Sequence, residues 1–316
     1  MQAKNFGELI KTLRIDNSFT QIDLANLTGY SIKQISRIEK GRNIPSIEFL
    51  HKLSHAFNID LNQYFKVFYN YCSIDALEQF NELNSALQAN DIHLIKSVYL
   101  KYENHRNFQF GEHLQAIYYC KAICQYTLNK DYSLSIQTCI EGLKVEHKNF
   151  SLDKIKTYIF SNTSYSILNI LSCNYLAIKE NKIAQEILMD LCTNLELHII
   201  NTDYPLYNPS DYHKKIYQAS LHNISNLYIE HNDFQEAYNY ADKGINFSIE
   251  NNLLRFLPNT YYIKFKASYY LERYDEAYEL YNHTIMLYKT TNQMHKAINL
   301  KKSLKKDFKN LKNAAR

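Results

Sequence analysis

Glycine and proline are scarce in this sequence and tryptophan is absent: the 316 residues include 6 Gly, 4 Pro and no Trp. A fold rich in β-strands needs Gly and Pro at its many turns, so their scarcity argues against such a fold and favours long helices. Hydrophobic residues still make up 46% of the chain, which is enough for a buried core. Because the length exceeds that of one typical domain, we expect an all-α protein with two units.

The sequence also lacks long apolar runs. A membrane-spanning helix needs a stretch of about 18 apolar residues, and none occurs. The opening residues 1–7 have no signal-peptide apolar core. We therefore expect a soluble, cytoplasmic protein.

Cysteine and histidine are present without the spacings typical of metal or redox sites. No C-x-x-C pair occurs among Cys72, Cys120, Cys124, Cys139, Cys173 and Cys192. Reduced core thiols are therefore expected, although Cys120 and Cys124 lie one helical turn apart, which leaves a redox or metal role as the alternative. His51 and His55 have the same spacing, but no Glu lies beside His51 as a zinc-protease motif requires. We expect no metal and no cofactor.

Charge is unevenly distributed along the chain. Residues 1–66 carry 9 Lys/Arg against 6 Asp/Glu, and residues 301–316 carry 7 against 1. Since the whole chain has a net charge of +4, the intervening segment has a net charge of −5. Basic ends around an acidic middle indicate nucleic-acid contact near the N-terminus and a different partner for the centre.

Residues 20–45, TQIDLANLTGYSIKQISRIEKGRNIP, predict two short helices with their end signals. Thr20 is placed to cap the first helix, and Gly29 can adopt the left-handed conformation that ends it. Ser31 and Gln34 form a capping box that begins the second helix, and Gly41 closes it. Two helices joined by a short turn that contains Gly are typical of a helix-turn-helix.

Apolar spacing predicts which faces of these helices are buried. On the first helix the expected inner residues are Ile22, Leu24, Ala25 and Leu27; on the second they are Ile35 and Ile38. The second helix then presents Lys33, Ser36, Arg37 and Lys40 outward. An exposed cationic edge on the second helix suits the DNA major groove.

The flanking sequence predicts three more helices around this motif. A first helix buries Phe6, Leu9, Ile10 and Leu13, and a fourth, capped by Ser46, buries Phe49, Leu50, Leu53 and Phe57. A fifth helix over residues 58–65 is anchored by Leu61, Tyr64 and Phe65. We predict a five-helix domain at residues 1–68, followed by a helical connector at 69–73.

These residues resemble the Cro/C1 (Xre) class of helix-turn-helix domains over about residues 5–66. The resemblance rests on Thr20, Gln21, Leu24, Ala25, 29–31, 35–41, Pro45 and Ser46. It implies that Gln21 touches a phosphate, that Ile32, Lys33, Ser36 and Arg37 face base edges, and that Arg42 and Asn43 meet the backbone or minor groove. Ser31 and Gln34 complete the predicted DNA-binding residues. The alternative is that the cations form an ordinary solvated face.

After residue 74 a polar turn followed by an apolar residue recurs. It occurs at 90–92, 130–132, 181–183, 232–234 and 272–274, at intervals of 40, 51, 51 and 40. Segments 233–237 and 273–277, with Tyr228 and Ala241, resemble tetratricopeptide repeats, although the period exceeds the usual ~34 residues. We predict five helix pairs at 76–89/92–103, 113–129/133–147, 155–180/183–200, 213–231/234–251 and 259–272/275–290.

Two further segments complete the predicted repeat domain at residues 74–292. Residues 202–212, which contain Pro205 and Pro209, are expected to form a long loop. A last helix at about 293–312, within a C-terminal cap at 293–316, places Leu300, Leu304, Phe308 and Leu311 on one face. Capping the end of a right-handed repeat superhelix is the preferred interpretation, and a membrane-surface helix is the alternative.

This architecture resembles the RRNPP-type peptide-pheromone regulators, and the motif with Pro45 resembles the PlcR/PrgX branch. The resemblance implies that a signalling peptide binds in the repeat groove, where Asn side chains clamp its backbone. An Asn amide can both donate to and accept from a peptide unit. The predicted peptide-binding residues are Asn226, Asn223, His222, Asn169 and Asn174, with Tyr165 and Tyr175 as apolar walls. Each Asn is alternatively surface decoration in an Asn-rich chain.

The sequence therefore predicts a transcription regulator that binds double-stranded DNA, as a homodimer on a palindromic operator, and responds to a peptide. One alternative is a phage or mobile-element repressor whose repeats dock a protein antirepressor. Catalysis is not expected, because no glycine-rich phosphate loop, metal-ligand cluster or nucleophile elbow occurs in the sequence.

Overall fold

The computed structural model describes residues 5–62, 64–65, 74–89, 91–201, 210–308 and 311. Within these ranges the chain forms helices and short turns, and no β-strand. The chain divides into two compact units, Met1–Gln109 and Phe110–Arg316. The all-α prediction is confirmed. The predicted connector at 69–73, Cys72, Asn90 and the side chain of Leu304 lie outside the described residues.

The first unit contains six α-helices in its described part. They are α1 (Phe6–Asp16), α2 (Gln21–Thr28), α3 (Ile32–Glu39), α4 (Ile47–Phe57), α5 (Ile74–Ala89) and α6 (Ile92–Tyr102). Residues 61, 62, 64 and 65 are also helical, within the segment predicted as a fifth helix. One core joins α1–α4 and buries Phe6, Ile10, Leu24, Ile35, Ile38, Phe49, Leu50, Leu53, Phe57 and Leu61. The inward faces predicted for α1, α3 and α4 are confirmed.

The face predicted for α2 is partly wrong. Ile22 and Leu27 are 56% and 51% exposed, whereas Leu24 and Thr28 are buried. Residues four apart share a helix face, so Thr28 joins Leu24 in the core, and Ile22 and Leu27 turn to solvent. Tyr64 is also 47% exposed, and Leu61 provides the buried anchor in its place.

The second unit contains nine α-helices in its described part. They are α7 (Gly111–Cys124), α8 (Tyr132–Glu146), α9 (Asn162–Ala177), α10 (Asn181–Leu195), α11 (Asp211–Glu230), α12 (Phe234–Glu250), α13 (Leu257–Tyr270), α14 (Tyr274–Thr290) and α15 (Met294–Asp307). A π-turn extends α7 over Gln125–Asn129 and α10 over Glu196–Ile200. The helices pack in the predicted pairs, α7 with α8, α9 with α10, α11 with α12 and α13 with α14.

A residue with positive φ stands in each turn between paired helices. These residues are Lys130, Lys179, Asn232 and Glu272, and Asn292 repeats the pattern before α15. Asp131 and Asp233 then cap the next helix by accepting from the backbone N–H of Leu134 and Glu236. The polar turns seen in the sequence at 130–132, 232–234 and 272–274 therefore join the two helices of a pair, whereas 181–183 lies inside α10.

Some predicted helix limits are wrong. Residues 155–161 do not belong to α9, because Leu152–Thr157 is a 3₁₀ helix and Ser161 caps α9 by accepting from Ser164 N–H. Helix α10 begins at Asn181 instead of 183, and Tyr212 already lies in α11 instead of a loop. The rest of the predicted loop, residues 202–209, lies outside the described residues.

The last helix packs on the final repeat pair. Leu300, Phe308 and Leu311 are buried with side chains of α13 and α14. The Phe308 ring lies 4.8 Å from that of Phe265 and 4.9 Å from that of Tyr269, measured between centroids. These contacts favour the capping interpretation over a membrane-surface helix.

Candidate DNA-binding surface and peptide groove

Helix α3 is fixed at both ends by its own residues. Ser31 Oγ accepts from the Gln34 N–H at 3.3 Å, and Gln34 Oε1 accepts from the Ser31 N–H at 2.9 Å. At the other end Gly41, with φ of 66°, donates to the Ile38 carbonyl and Arg42 N–H donates to the Arg37 carbonyl. The predicted capping box and the Gly41 stop are confirmed. These bonds occupy the side chains of Ser31 and Gln34, which were predicted to contact DNA, at the start of α3.

A buried ion pair anchors the end of α3. Arg14 on α1 donates to Glu39 through Nε at 2.6 Å and Nη2 at 3.2 Å. The side chains are 13% and 3% exposed. The hydrogen bond to Glu39 raises the pKa of Arg14, so the guanidinium stays charged. Gln21 also donates to Glu39, at 2.8 Å, so the predicted phosphate contact falls on a side chain that joins α2 to α3.

A close backbone contact adds to this anchor. Gly7 is buried on α1, and a Cβ at that position would lie 2.1 Å from the Ile38 carbonyl oxygen. Only a residue without a side chain allows α1 to approach α3 this closely. Arg14, Glu39 and Gly7 were missed by the sequence reasoning, although a charged residue on the inner side of a helix is a signal for a buried pair.

The outward side of α3 and the following turn are cationic. Lys33, Arg37, Lys40 and Arg42 are exposed, as is Asn43, whereas Ser36 is half-buried. None of the ion pairs among the described residues involves these four cations. Ile32 is 47% exposed beside them. Such a surface offers positive charge to phosphates and donors to base edges.

The first helices of the repeat pairs form one layer in the second unit. Helix α9 packs on both α7 and α11, and α11 packs on α13. On α11, Tyr217 and Tyr228 turn toward the second helices, where their hydroxyls meet Glu196 and Gln185. We call the opposite side of α9, α11 and α13 the inner face.

Three of the predicted peptide residues lie together on the inner face. Asn223 Nδ2 lies 3.3 Å from Asn169 Oδ1, which joins α11 to α9. Asn226 is exposed one turn further along and donates to Glu230 at 3.0 Å. Asn223 and Asn169 are half-buried and Asn226 is exposed, so all three amides reach the surface of the inner face.

His222 lies at the α11–α13 junction. Its Nδ1 is 3.2 Å from Thr260 Oγ1, and its ring centroid lies 5.3 Å from that of Phe256. Burial, with a smaller contribution from the charge of Lys296, lowers the pKa of His222 to about 4. His222 is therefore neutral near pH 7.

Two predicted peptide residues are instead structural. Asn174 is fully buried and donates to Ser135 Oγ at 2.9 Å and to the Ile170 carbonyl at 2.8 Å. Tyr165 is also buried, and its hydroxyl donates to Asn194 Oδ1 at 2.8 Å. Both predictions are wrong because these side chains are buried and bond within the repeat core. Tyr175 is half-buried against the same core.

The cysteines of the described part are buried or half-buried thiols without disulfides. Burial raises the pKa of Cys120, and it raises that of Cys173 to about 11. Such thiols are poor nucleophiles near pH 7. The described residues contain no group of three His, Cys, Asp or Glu side chains placed to hold a metal ion. They also contain no helix long and apolar enough to cross a membrane.

A cavity of about 670 Å³ lies away from the inner face. Its walls come from the start of α11, from α12 and from the turn after α10, and include Tyr217, Lys243, Asn246 and Phe247. None of the predicted peptide residues lines it.

Known proteins resemble the two parts of the chain at different levels. Residues 10–63 match the helix-turn-helix family. The ImmF control region 10 kDa protein of Bacillus phage phi105 is 36% identical over 62 residues, which are 20% of this chain and 69% of that protein.

Solved structures resemble the chain over nearly its full length. PlcR of Bacillus thuringiensis, solved with the peptide PapR7 and DNA, has a TM-score of 0.72 at 18% identity. The match covers 94% of this chain and 99% of the PlcR chain. ComR of S. thermophilus, solved with DNA and its signalling peptide ComS, has a TM-score of 0.57 at 19% identity, with coverages of 95% and 98%. The pheromone receptor Rgg2 of Streptococcus dysgalactiae has a TM-score of 0.53 at 12% identity, with coverages of 96% and 100%.

The TM-scores establish the fold of the chain, and the family match at residues 10–63 together with the 36% identical relative establishes the family. The chain belongs to the helix-turn-helix family through residues 10–63, and over nearly its full length it has the fold of the solved PlcR structure.

Proposed function

We propose that this chain is a cytoplasmic transcription regulator that binds a palindromic operator as a homodimer and is switched by a short signalling peptide. The peptide lies on the inner face of the repeats. The observation that carries this proposal is the cluster of Asn169, Asn223 and Asn226, which places amide donors and acceptors on an accessible surface of the repeat unit.

The DNA half of the proposal rests on α3. Lys33 and Arg37 are exposed on consecutive turns and have no carboxylate partner in the described part of the chain. A bidentate Arg–guanine contact contributes about 1–3 kcal/mol of discrimination against a wrong base. Because one recognition helix reads only a few base pairs, a dimer on two half-sites supplies the remaining specificity.

The peptide half of the proposal rests on the amides of the inner face and on the fold that the chain shares with PlcR and ComR. PlcR and ComR, whose repeats have this fold, were solved with both DNA and a signalling peptide. The amides of Asn223 and Asn169 bond to each other. A peptide unit has both a donor and an acceptor, so it can take the place of this bond by bonding to both amides, and no polar group is left unpaired.

Switching follows if the peptide favours one arrangement of the dimer. A ligand shifts such an equilibrium only by its difference in affinity for the two states. Different spacings of the two recognition helices then fit or fail to fit the operator half-sites.

A two-stage binding experiment tests the proposal. The full chain first selects its operator from random duplex DNA, and operator affinity is then measured by mobility shift with and without pools of short synthetic peptides. We expect one class of peptides to change the operator affinity. Selection of no duplex would overturn the DNA half, and an operator affinity that no peptide changes would overturn the peptide half.

The phage relative favours one alternative function, a repressor whose repeats dock a protein antirepressor. That relative matches 62 residues, which are 20% of this chain. Affinity capture on the immobilised full chain separates the two functions. If the chain is a peptide receptor, it retains a short peptide, and Asn223→Ala weakens that capture. If an antirepressor controls it, it retains a folded protein, and Asn223→Ala leaves that protein bound.

A further inference from the structure

Two lysines on or beside the inner face have no carboxylate partner among the described residues, and this bears on which peptides the groove accepts. The lysines are Lys266 on α13 and Lys296 on α15. All the ion pairs of the described part involve other residues. The inference below rests on the proposed function, because it concerns the ligand of the same groove.

Lys264, on the opposite side of α13 from Lys266, has a carboxylate partner. Its Nζ lies 2.6 Å from Asp242 Oδ1 on α12, which forms a compensated ion pair. Each residue turns about 100° around a helix, so Lys266 lies roughly 200° away, on the inner face. The second helices therefore supply an acid to the lysine that faces them, while Lys266 has none.

Lys266 is half-buried, its Nζ lies 5.8 Å from the centroid of the Tyr262 ring, and it takes part in none of the ion pairs of the described residues. Burial lowers its pKa, which the charge of Glu230 opposes only in part. Glu230 instead accepts a hydrogen bond from Asn226 at 3.0 Å and forms no ion pair with Lys266. A half-buried ammonium that forms no ion pair is costly, and a bound carboxylate lowers that cost.

Lys296 extends this positive region from α15. Its Nζ donates to Asn259 Oδ1 at 3.1 Å, and the Tyr288 hydroxyl donates to the same oxygen at 3.0 Å. The ammonium has three donors, and this bond uses one of them. His222 feels the charge of Lys296 and stays neutral near pH 7, so it adds no charge of its own.

We propose that the peptide bound by the inner face is acidic, and that its carboxylates pair with Lys266 and Lys296. The carboxylates belong to Asp or Glu side chains or to the peptide's own C-terminus. The neighbouring amides of Asn223, Asn226 and Asn169 then hold the peptide backbone. Charge thus selects among peptides that the amides alone would bind equally.

Matched peptides test this inference on the full chain. Synthetic heptapeptides carrying a neutral dye are screened by fluorescence anisotropy. The strongest binder is then remade with Glu→Gln and Asp→Asn changes, and separately with an amidated C-terminus. We expect at least one of these neutralised forms to bind about tenfold more weakly or worse, as the loss of a charge-assisted hydrogen bond implies.

Protein variants complete the experiment. Lys266→Gln and Lys296→Gln should each weaken the acidic peptide about tenfold and leave its neutralised form nearly unchanged. Lys289→Gln, an exposed cation at the end of α14, is the matched control and should change neither. Equal binding of acidic and neutralised peptides overturns this inference and leaves the proposed function standing. Binding of no peptide at all overturns the proposed function and this inference with it.

Discussion

Arg14 and Glu39 form a buried two-point ion pair, with distances of 2.6 Å and 3.2 Å, that ties α1 to the last residue of the recognition helix. Gln21 from α2 donates to the same carboxylate. One side chain at the end of α3 thus fixes its position against both preceding helices. The exposed cations Lys33 and Arg37 depend on this anchor for their direction.

Removing the anchor should destabilise the DNA-binding domain. Glu39→Ala leaves the Arg14 guanidinium buried without its partner, which costs about 3–5 kcal/mol. Glu48→Ala is the control, because its pair with Lys52 lies on the surface and should contribute less than about 1 kcal/mol. Urea denaturation of the full chain, followed by circular dichroism, measures both. Similar losses for the two variants would show that Glu39 is not an anchor.

Arg37 should contribute to sequence discrimination. Arg37→Ala is expected to weaken operator binding by about 1–3 kcal/mol, roughly 5- to 150-fold, and to weaken binding to unrelated duplex much less. Lys11→Ala, which removes an exposed cation from α1, is the control. Competition mobility shifts measure both affinities. Equal losses on the two duplexes would mean that Arg37 contacts only phosphate.

Asn223 and Asn174 should separate ligand binding from stability. Asn223→Ala is expected to weaken peptide binding with little change in unfolding, because the residue lies on the partly exposed inner face. Asn174→Ala removes buried bonds to Ser135 and Ile170, which costs about 1–3 kcal/mol of stability, and should leave peptide affinity intact. Anisotropy and thermal unfolding on both variants provide the comparison. Weaker peptide binding by Asn174→Ala with unchanged stability would show that Asn174 is a peptide-binding residue.

His222 should make the repeat unit sensitive to acid. Its pKa is lowered to about 4 in the folded chain, against a usual value near 6.5. Below about pH 6.5 the unfolded chain therefore binds a proton that the folded chain does not, so stability falls as the pH drops toward 4. The full loss is on the order of 3 kcal/mol.

His222→Gln should flatten the stability profile between about pH 6.5 and pH 4. His198→Gln replaces an exposed histidine and is expected to leave the wild-type slope. Urea unfolding at half-unit pH steps gives the slopes. A His222→Gln profile as steep as that of the wild-type chain would show that another group causes the acid sensitivity.

The sequence was most informative where one residue type has one physical role. Ser31, Gln34, Gly29 and Gly41 mark helix ends through bonds and backbone angles that depend on local sequence alone. The apolar spacing of α3 and α4 likewise fixed their buried faces. These features predicted the helix ends and the exposed cations of α3 because the helices are short and amphipathic.

The sequence was least informative where burial depends on distant neighbours. Asn174 and Tyr165 have the same residue types as the groove amides and walls, but packing from α8 and α10 covers them. Ile22 was expected inside because it is apolar, yet the core takes Thr28 in its place. The unpaired state of Lys266 is visible only once Lys264 is seen against Asp242.

The central claim is that operator binding and peptide binding are coupled in one molecule. Linkage requires that the factor by which the peptide changes operator affinity equals the factor by which the operator changes peptide affinity. The most direct test is to measure the peptide dissociation constant of the full chain with and without saturating operator duplex. The account predicts two different constants whose ratio matches the peptide's effect on operator affinity; identical constants would contradict it.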